Sequence, residues 1–83
     1  MNEKIRNSLA KLGGLSVSVE NLADDADLYA AGLSSFASVQ LMLSLEEAFD
    51  IEFPDSMLNR KSFASIAAIE RTVALIVEDR KVA

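Results

Sequence analysis

Apolar positions between Ser35 and Phe49 recur at helical spacing, and they do so on two opposite faces. At about 100° per residue, Ser38, Leu41, Met42, Leu45, Ala48 and Phe49 fall on one side and make an ordinary core stripe. Phe36, Val39 and Leu43 fall on the other side, among Gln40, Glu46, Glu47 and Asp50. Single apolar residues on a surface carry no message, but three together, rimmed by acids, imply a docking face. The start signal is Gly32-Leu33-Ser34-Ser35, because a serine hydroxyl can accept from an orphan N–H of the first helical turn.

The flanking pattern predicts two more long helices. Asn2 to Leu12 places Ile5, Leu9 and Leu12 on one face, with Asn2 as a possible cap and Gly13-Gly14 as the stop. The last helix is expected from a Ser62 cap, with Phe63, Ile66, Ile69, Val73, Ile76 and Val77 as its stripe and a frayed tail over Glu78-Asp79-Arg80-Lys81. Before Pro54 the chain must leave helical geometry, so Phe53 is extended, and Asp55 or Ser56 can cap a short helical piece from Met57 to Arg60. Leu15 to Ala31 is a connection of about seventeen residues, long for a loop. Val17 and Val19 alternate with Ser16 and Ser18, but no other segment could pair with a strand there. A loop held on a helical core by Leu15, Val17, Leu22 and Leu28 fits better, with Asp24 to Asp27 capping a turn through Leu28 and Tyr29. The expected architecture is all-α: a small four-helix bundle of three longer helices and one short one, with a long first loop, in one domain spanning 1–83.

Composition narrows the function. Eight basic and thirteen acidic residues give a net charge of −5, which disfavours nucleic acid and anionic membranes and favours a basic partner surface. The chain has no Cys and no His, which removes thiol nucleophiles, imidazole acid/base chemistry and the common zinc ligands. An EF-hand counted from Asp25 would put Ala30 at its glycine position and Phe36 at its last ligand, so no calcium or other metal site is expected. No apolar run approaches the roughly 18 residues of a membrane span. A monomeric, cytoplasmic protein without catalysis of its own is the expectation.

One position stands out chemically. With Ser34 as the N-cap, Ser35 lies in the first turn with its hydroxyl at the positive end of the helix dipole, a good place to carry a phosphate. The plainer account is that both serines only cap. It leaves the second serine, the preceding Gly32 and the apolar outer face without a role.

The run Asp27-Leu28-Tyr29-Ala30-Ala31-Gly32-Leu33-Ser34-Ser35-Phe36-Ala37-Ser38-Val39-Gln40-Leu41, continued by Leu45-Glu46-Glu47-Ala48-Phe49 and Phe53-Pro54-Asp55, resembles the acyl carrier proteins and their peptidyl carrier relatives. The resemblance implies that Ser35 carries 4′-phosphopantetheine, attached from coenzyme A by a phosphopantetheinyl transferase. Its thiol would hold an acyl or aminoacyl group as a thioester. It also implies that Ser34, Phe36, Val39, Gln40, Leu43, Glu46 and Glu47 meet partners: an acyl- or amino acid-activating ligase and downstream transferases with basic docking surfaces. Ser34 replaces the family's Asp before the modified serine, Phe36 replaces its Leu, and Ala37 and Gln40 replace acids common early in that helix. These departures point to a specialised carrier rather than one serving general fatty-acid synthesis. The alternative is a carrier-like module that binds partners without being modified.

Overall fold

The computed structural model describes residues 2–12 and 18–82, with side chains as far as residue 78. It contains three α-helices, α1 (Asn2–Leu12), α2 (Ser35–Phe49) and α3 (Ile66–Val82), and no strand among the described residues. Short 3-10 turns occupy Val19–Asn21, Asp55–Met57 and Arg60–Phe63. The expected Gly13-Gly14 stop and the loop anchors Leu15 and Val17 lie outside the described residues.

The core forms where the three apolar stripes meet. Ile5 and Leu9 of α1, Leu41 and Leu45 of α2, and Ile66, Ile69 and Val73 of α3 are fully buried. Helix α1 packs against both α2 and α3. The connecting segments supply the rest: Leu22, Leu28 and Leu33 from the first loop, Ile51, Phe53 and Phe63 from the second. The Phe53 and Phe63 rings meet with centroids 5.5 Å apart at 54°, a tilted aromatic pair. Ala48, expected on the buried stripe, is exposed in the last turn of α2. There Lys4 lies over its neighbour Phe49, with Nζ 5.4 Å from the ring centroid.

The short helix expected at Met57–Arg60 is replaced by two 3-10 turns. Asn59 breaks the segment: it adopts an extended φ of −139°, and its side chain accepts from the N–H of Ser62 at 3.0 Å. Ser62 is therefore inside a turn and does not cap α3. Ser65 takes that place, its Oγ accepting from the N–H of Ala68 at 3.0 Å. The α3 backbone also stays helical through Val82, past the predicted frayed tail.

The first loop is fastened to the start of α3 by main-chain bonds. The N–H of Leu28 donates to the carbonyl of Ala64 at 2.8 Å, and the N–H of Ala67 donates to the carbonyl of Asp24 at 2.8 Å. The second bond satisfies a donor that the first turn of α3 would otherwise leave unpaired. Asn2 does not cap α1; it opens the helix, and its amide donates to Asp24 at 2.9 Å and to Glu70. Arg6 completes the cluster, with Nε donating to Asn2 at 2.7 Å and Nη2 to Asp24 at 2.7 Å. These bonds tie α1, the loop and α3 together at one end of the molecule.

The Asn2 hydrogen bond and then the Arg6 guanidinium hold the Asp24 carboxyl below its ordinary value of 3.8. A lowered folded-state value stabilises the fold above the unfolded value and loses that contribution as pH falls through the folded one. Asp24→Asn should therefore melt below wild type at pH 7, and the gap should close as the pH is taken below 3.8. Melting curves followed by circular dichroism across that range check this.

Candidate functional site

The start of α2 is set by a chain of local bonds. Gly32 has φ 113°, a left-handed conformation that costs glycine nothing and would strain a residue with a Cβ. The turn before it is closed by the Asp27 carboxylate, which accepts from the N–H of Tyr29 at 2.9 Å. Leu33 is then drawn into the core, and its N–H donates to the carbonyl of Leu28 at 3.0 Å. Ser34 follows in extended geometry, φ −85° and ψ 166°, and its Oγ accepts from the N–H of Ala37 at 3.0 Å. It is the N-cap that the sequence anticipates.

Ser35 is the first helical residue and is exposed. Among the described residues none binds its hydroxyl, while Ser38 donates to its carbonyl at 2.7 Å. No acidic residue lies in the first turn of α2. The partial positive charge of the helix start is therefore not neutralised by a local carboxylate. An anion joined to the Ser35 oxygen would meet favourable electrostatics there.

An open groove of about 520 Å³ runs beside Ser35. Val39 and Met42 of α2 line it, with Leu58 and Phe63 from the facing turns. Tyr29, Asn59 and Arg60 complete the larger lining side chains. Arg60 stacks on Tyr29, its guanidinium carbon 4.0 Å from the ring centroid.

The outer face of α2 is exposed as its periodicity requires: Phe36 by 73%, Val39 by 53% and Leu43 by 55%. Gln40 and Glu47 are exposed beside them. Glu46 is half-buried, and its Oε2 accepts from the N–H of Phe53 at 2.9 Å, so this carboxylate also holds the turn after α2. Leu43, Glu46 and Glu47 line a second hollow at the far end of α2, together with Glu52 and the exposed Leu75 of α3. The predicted residues thus divide into two groups. Ser34, Ser35, Phe36, Val39 and Gln40 surround the helix start; Leu43, Glu46 and Glu47 lie beyond them.

Sequence reasoning missed Tyr29, Leu58, Asn59 and Arg60 as neighbours of Ser35. The available signal was weak: an apolar Leu58 next to a polar run, and an Asn followed by two cations in a segment read as a plain short helix. Leu75 was missed because α3 already had a complete apolar stripe without it.

A family model described as a phosphopantetheine attachment site matches residues 3–73. Over 83 residues, all of both chains, the sequence is 69% identical to an aminoacyl carrier protein of Agrobacterium fabrum. It is 36% identical over 76 residues to aminoacyl carrier protein 1 of Bradyrhizobium diazoefficiens, covering 87% of this chain and 84% of the relative. The fold is similar to a chain in a crystal structure of an engineered Bradyrhizobium japonicum glycine:[carrier protein] ligase complexed with carrier protein from Agrobacterium tumefaciens and ATP. That match has a TM-score of 0.87 and 73% identity, over 90% of this chain and 97% of the other. A second match is to a chain in the Bradyrhizobium japonicum ligase structure with its cognate carrier protein and an analogue of glycyl adenylate. Its TM-score is 0.77 at 30% identity, over 89% of this chain and 95% of the other.

The two serines should separate cleanly by mutation. Ser34→Ala removes the cap and should cost about 1 kcal/mol, while Ser35→Ala should change stability by less than about 0.5 kcal/mol. Urea titration of each variant measures both.

Proposed function

The chain belongs to the phosphopantetheine-attachment family of carrier proteins, and on that premise we propose that it is an aminoacyl carrier whose arm is joined to Ser35. Phosphopantetheine is the cofactor of this family, and it supplies the thiol on which an acyl or aminoacyl group is held as a thioester. The absence of Cys and His from the chain is consistent with that division of labour. The protein performs no chemistry itself and acts as an address that partner enzymes recognise.

The observation that carries the assignment is the state of Ser35. It is exposed, its hydroxyl is not bonded by any described residue, and it begins a helix whose first turn has no acid. Ser34 caps the helix on its own, which leaves Ser35 available to a phosphopantetheinyl transferase without loss of the helix start. The groove beside it gives an attached arm a surface to lie on.

Cargo and partners follow from the relatives. Two of them are named aminoacyl carrier proteins, and similar chains occur in crystal structures of glycine:[carrier protein] ligase. An amino acid-activating ligase of that kind is the proposed loading enzyme here, with a small amino acid such as glycine as cargo. The exposed Phe36, Val39 and Leu43, with Gln40, Glu47 and the partly engaged Glu46, form the proposed docking face for it and for downstream transferases. The neutral helix start distinguishes this face from a uniformly acidic one. The turns at 55–57 and 60–63 take the place of the short fourth helix, and the 83 residues act as one carrier domain in the cytoplasm. Among the described residues, no helix is long and apolar enough to cross a membrane.

Incubation with coenzyme A and a promiscuous transferase should add one pantetheine arm to the wild-type mass and none to Ser35→Ala. Circular dichroism of that variant should remain helical. An arm retained in Ser35→Ala would move the attachment elsewhere, and a collapsed helix signal would make Ser35 structural.

Docking is tested by Leu43→Arg. On the carrier bearing the arm with its thiol free, it should raise the ligase KM for the protein roughly tenfold, the loss of about 1.4 kcal/mol expected of a contact residue. Its melting temperature should stay within about 2 °C of wild type, as for a surface change. A larger fall in stability than in ligase recognition would place Leu43 in the core.

A further inference from the structure

We infer that Arg60 is the binding residue for the phosphate of the arm, held ready beside Ser35 by its stack on Tyr29. The inference rests on the reading of Ser35 as the attachment site.

Three observations carry it. First, Arg60 and Ser35 line the same groove, and Arg60 has the only formal charge among the described residues that line it. A cation beside the proposed phosphate position, in a chain of net charge −5, runs against the overall charge of the molecule. Second, no carboxylate pairs with Arg60 among the described residues, although the chain has thirteen acids. Arg6, by contrast, is committed to Asp24. Third, Arg60 is oriented. Its guanidinium lies 4.0 Å from the Tyr29 ring centroid, a contact that restrains the side chain without consuming its N–H donors. The five donors of a guanidinium form a rigid fork that matches two phosphate oxygens at once.

The backbone holds both ends of this pair. Tyr29 sits in the turn closed by Asp27, one bond network away from Gly32 and the α2 start. Arg60 opens the 3-10 turn that Asn59 caps. A phosphate on Ser35 would thus meet helix N–H groups on one side and a pre-positioned cation on the other. Lys61, next in sequence, is exposed and does not line the groove.

The test loads wild type, Arg60→Gln and Arg60→Lys to completion with excess transferase, verifies each by intact mass, and compares melting temperatures before and after loading. Each rise is taken against the same variant unloaded, so any stability lost with the Tyr29 stack cancels. Loading should raise the wild-type melting temperature by about 4 °C, the scale of one modest new interaction in a domain of this size. The rise should fall by at least half in Arg60→Gln and be kept only in part in Arg60→Lys, which retains the charge but loses the fork and the stack. Equal rises in wild type and Arg60→Gln, or no rise in wild type, would overturn the inference. If no arm is added to the wild type at all, the reading of Ser35 fails first, and the mass measurement reports that separately.

Discussion

Two main-chain hydrogen bonds, Leu28 to Ala64 and Ala67 to Asp24, decide where the long first loop ends and therefore where α2 begins. Without them the loop would be held only by side-chain burial and by the side-chain bonds from Asn2 and Arg6 to Asp24 and the Val19 carbonyl. Loops of this length are entropically mobile unless their backbone groups find fixed partners. Here the partners sit at the start of α3, whose first turn has donors to spare. One bond thus serves both elements: it pins Asp24 and completes the α3 start. With Leu28 fixed and buried, Gly32 can reverse the chain and Leu33 can enter the core. Ser34 and Ser35 then have one place to go. The exposure of a single hydroxyl is a consequence of contacts made by residues that never touch it.

The same geometry divides charge along α2. The first turn has no acid, and Arg60 lies in the groove beside it. The acids gather at the other end, where Glu46 and Glu47 lie close to Glu52. Ser35 and Glu47 are separated by twelve helical residues, a rise of about 18 Å. Phosphate chemistry and acid-driven docking can therefore occupy one helix without opposing each other. An acidic start would repel the phosphate that the position is suited to receive; a basic far end would lose attraction to a cationic partner. The apolar row of Phe36, Val39 and Leu43 spans the gap, so a partner seated on it would reach towards both ends.

Legibility followed periodicity and local capping. Most of the α2 stripe, its opposite apolar face, the Ser34 cap and Gly32 as part of the start signal could be read directly, because each depends on residues a few positions apart. The α1 stripe and most of the α3 stripe were legible for the same reason. What failed depended on contacts across the fold. Asn2 looks like a cap by position, yet its amide is drawn to Asp24 and Glu70, which only the folded chain brings near. Ser62 and Ser65 are equivalent caps on paper. Asn59 takes the Ser62 N–H into its own turn and leaves the α3 start to Ser65. The groove beside Ser35 joins Tyr29 to Arg60 across thirty-one positions, a pairing no local pattern contains.

The buried and exposed polar groups of the molecule bear on how such a protein can tolerate modification. Every buried side-chain polar atom among the described residues has a hydrogen-bond partner. The fold therefore has no internal need for an added group, and an attachment at Ser35 would break no hydrogen bond of its hydroxyl among the described residues. Thr72 illustrates the closed interior: it is buried, and its hydroxyl donates to the Ala68 carbonyl at 2.9 Å within its own helix. Ser35 has the opposite character, open at the surface with an uncompensated helix dipole behind it. A charge placed there would face solvent and the amides of the helix start, and it would displace no core contact. A carrier must keep one shape while its cargo changes. A group tethered at Ser35 would meet that requirement, because it would lie outside a core whose polar groups are already satisfied.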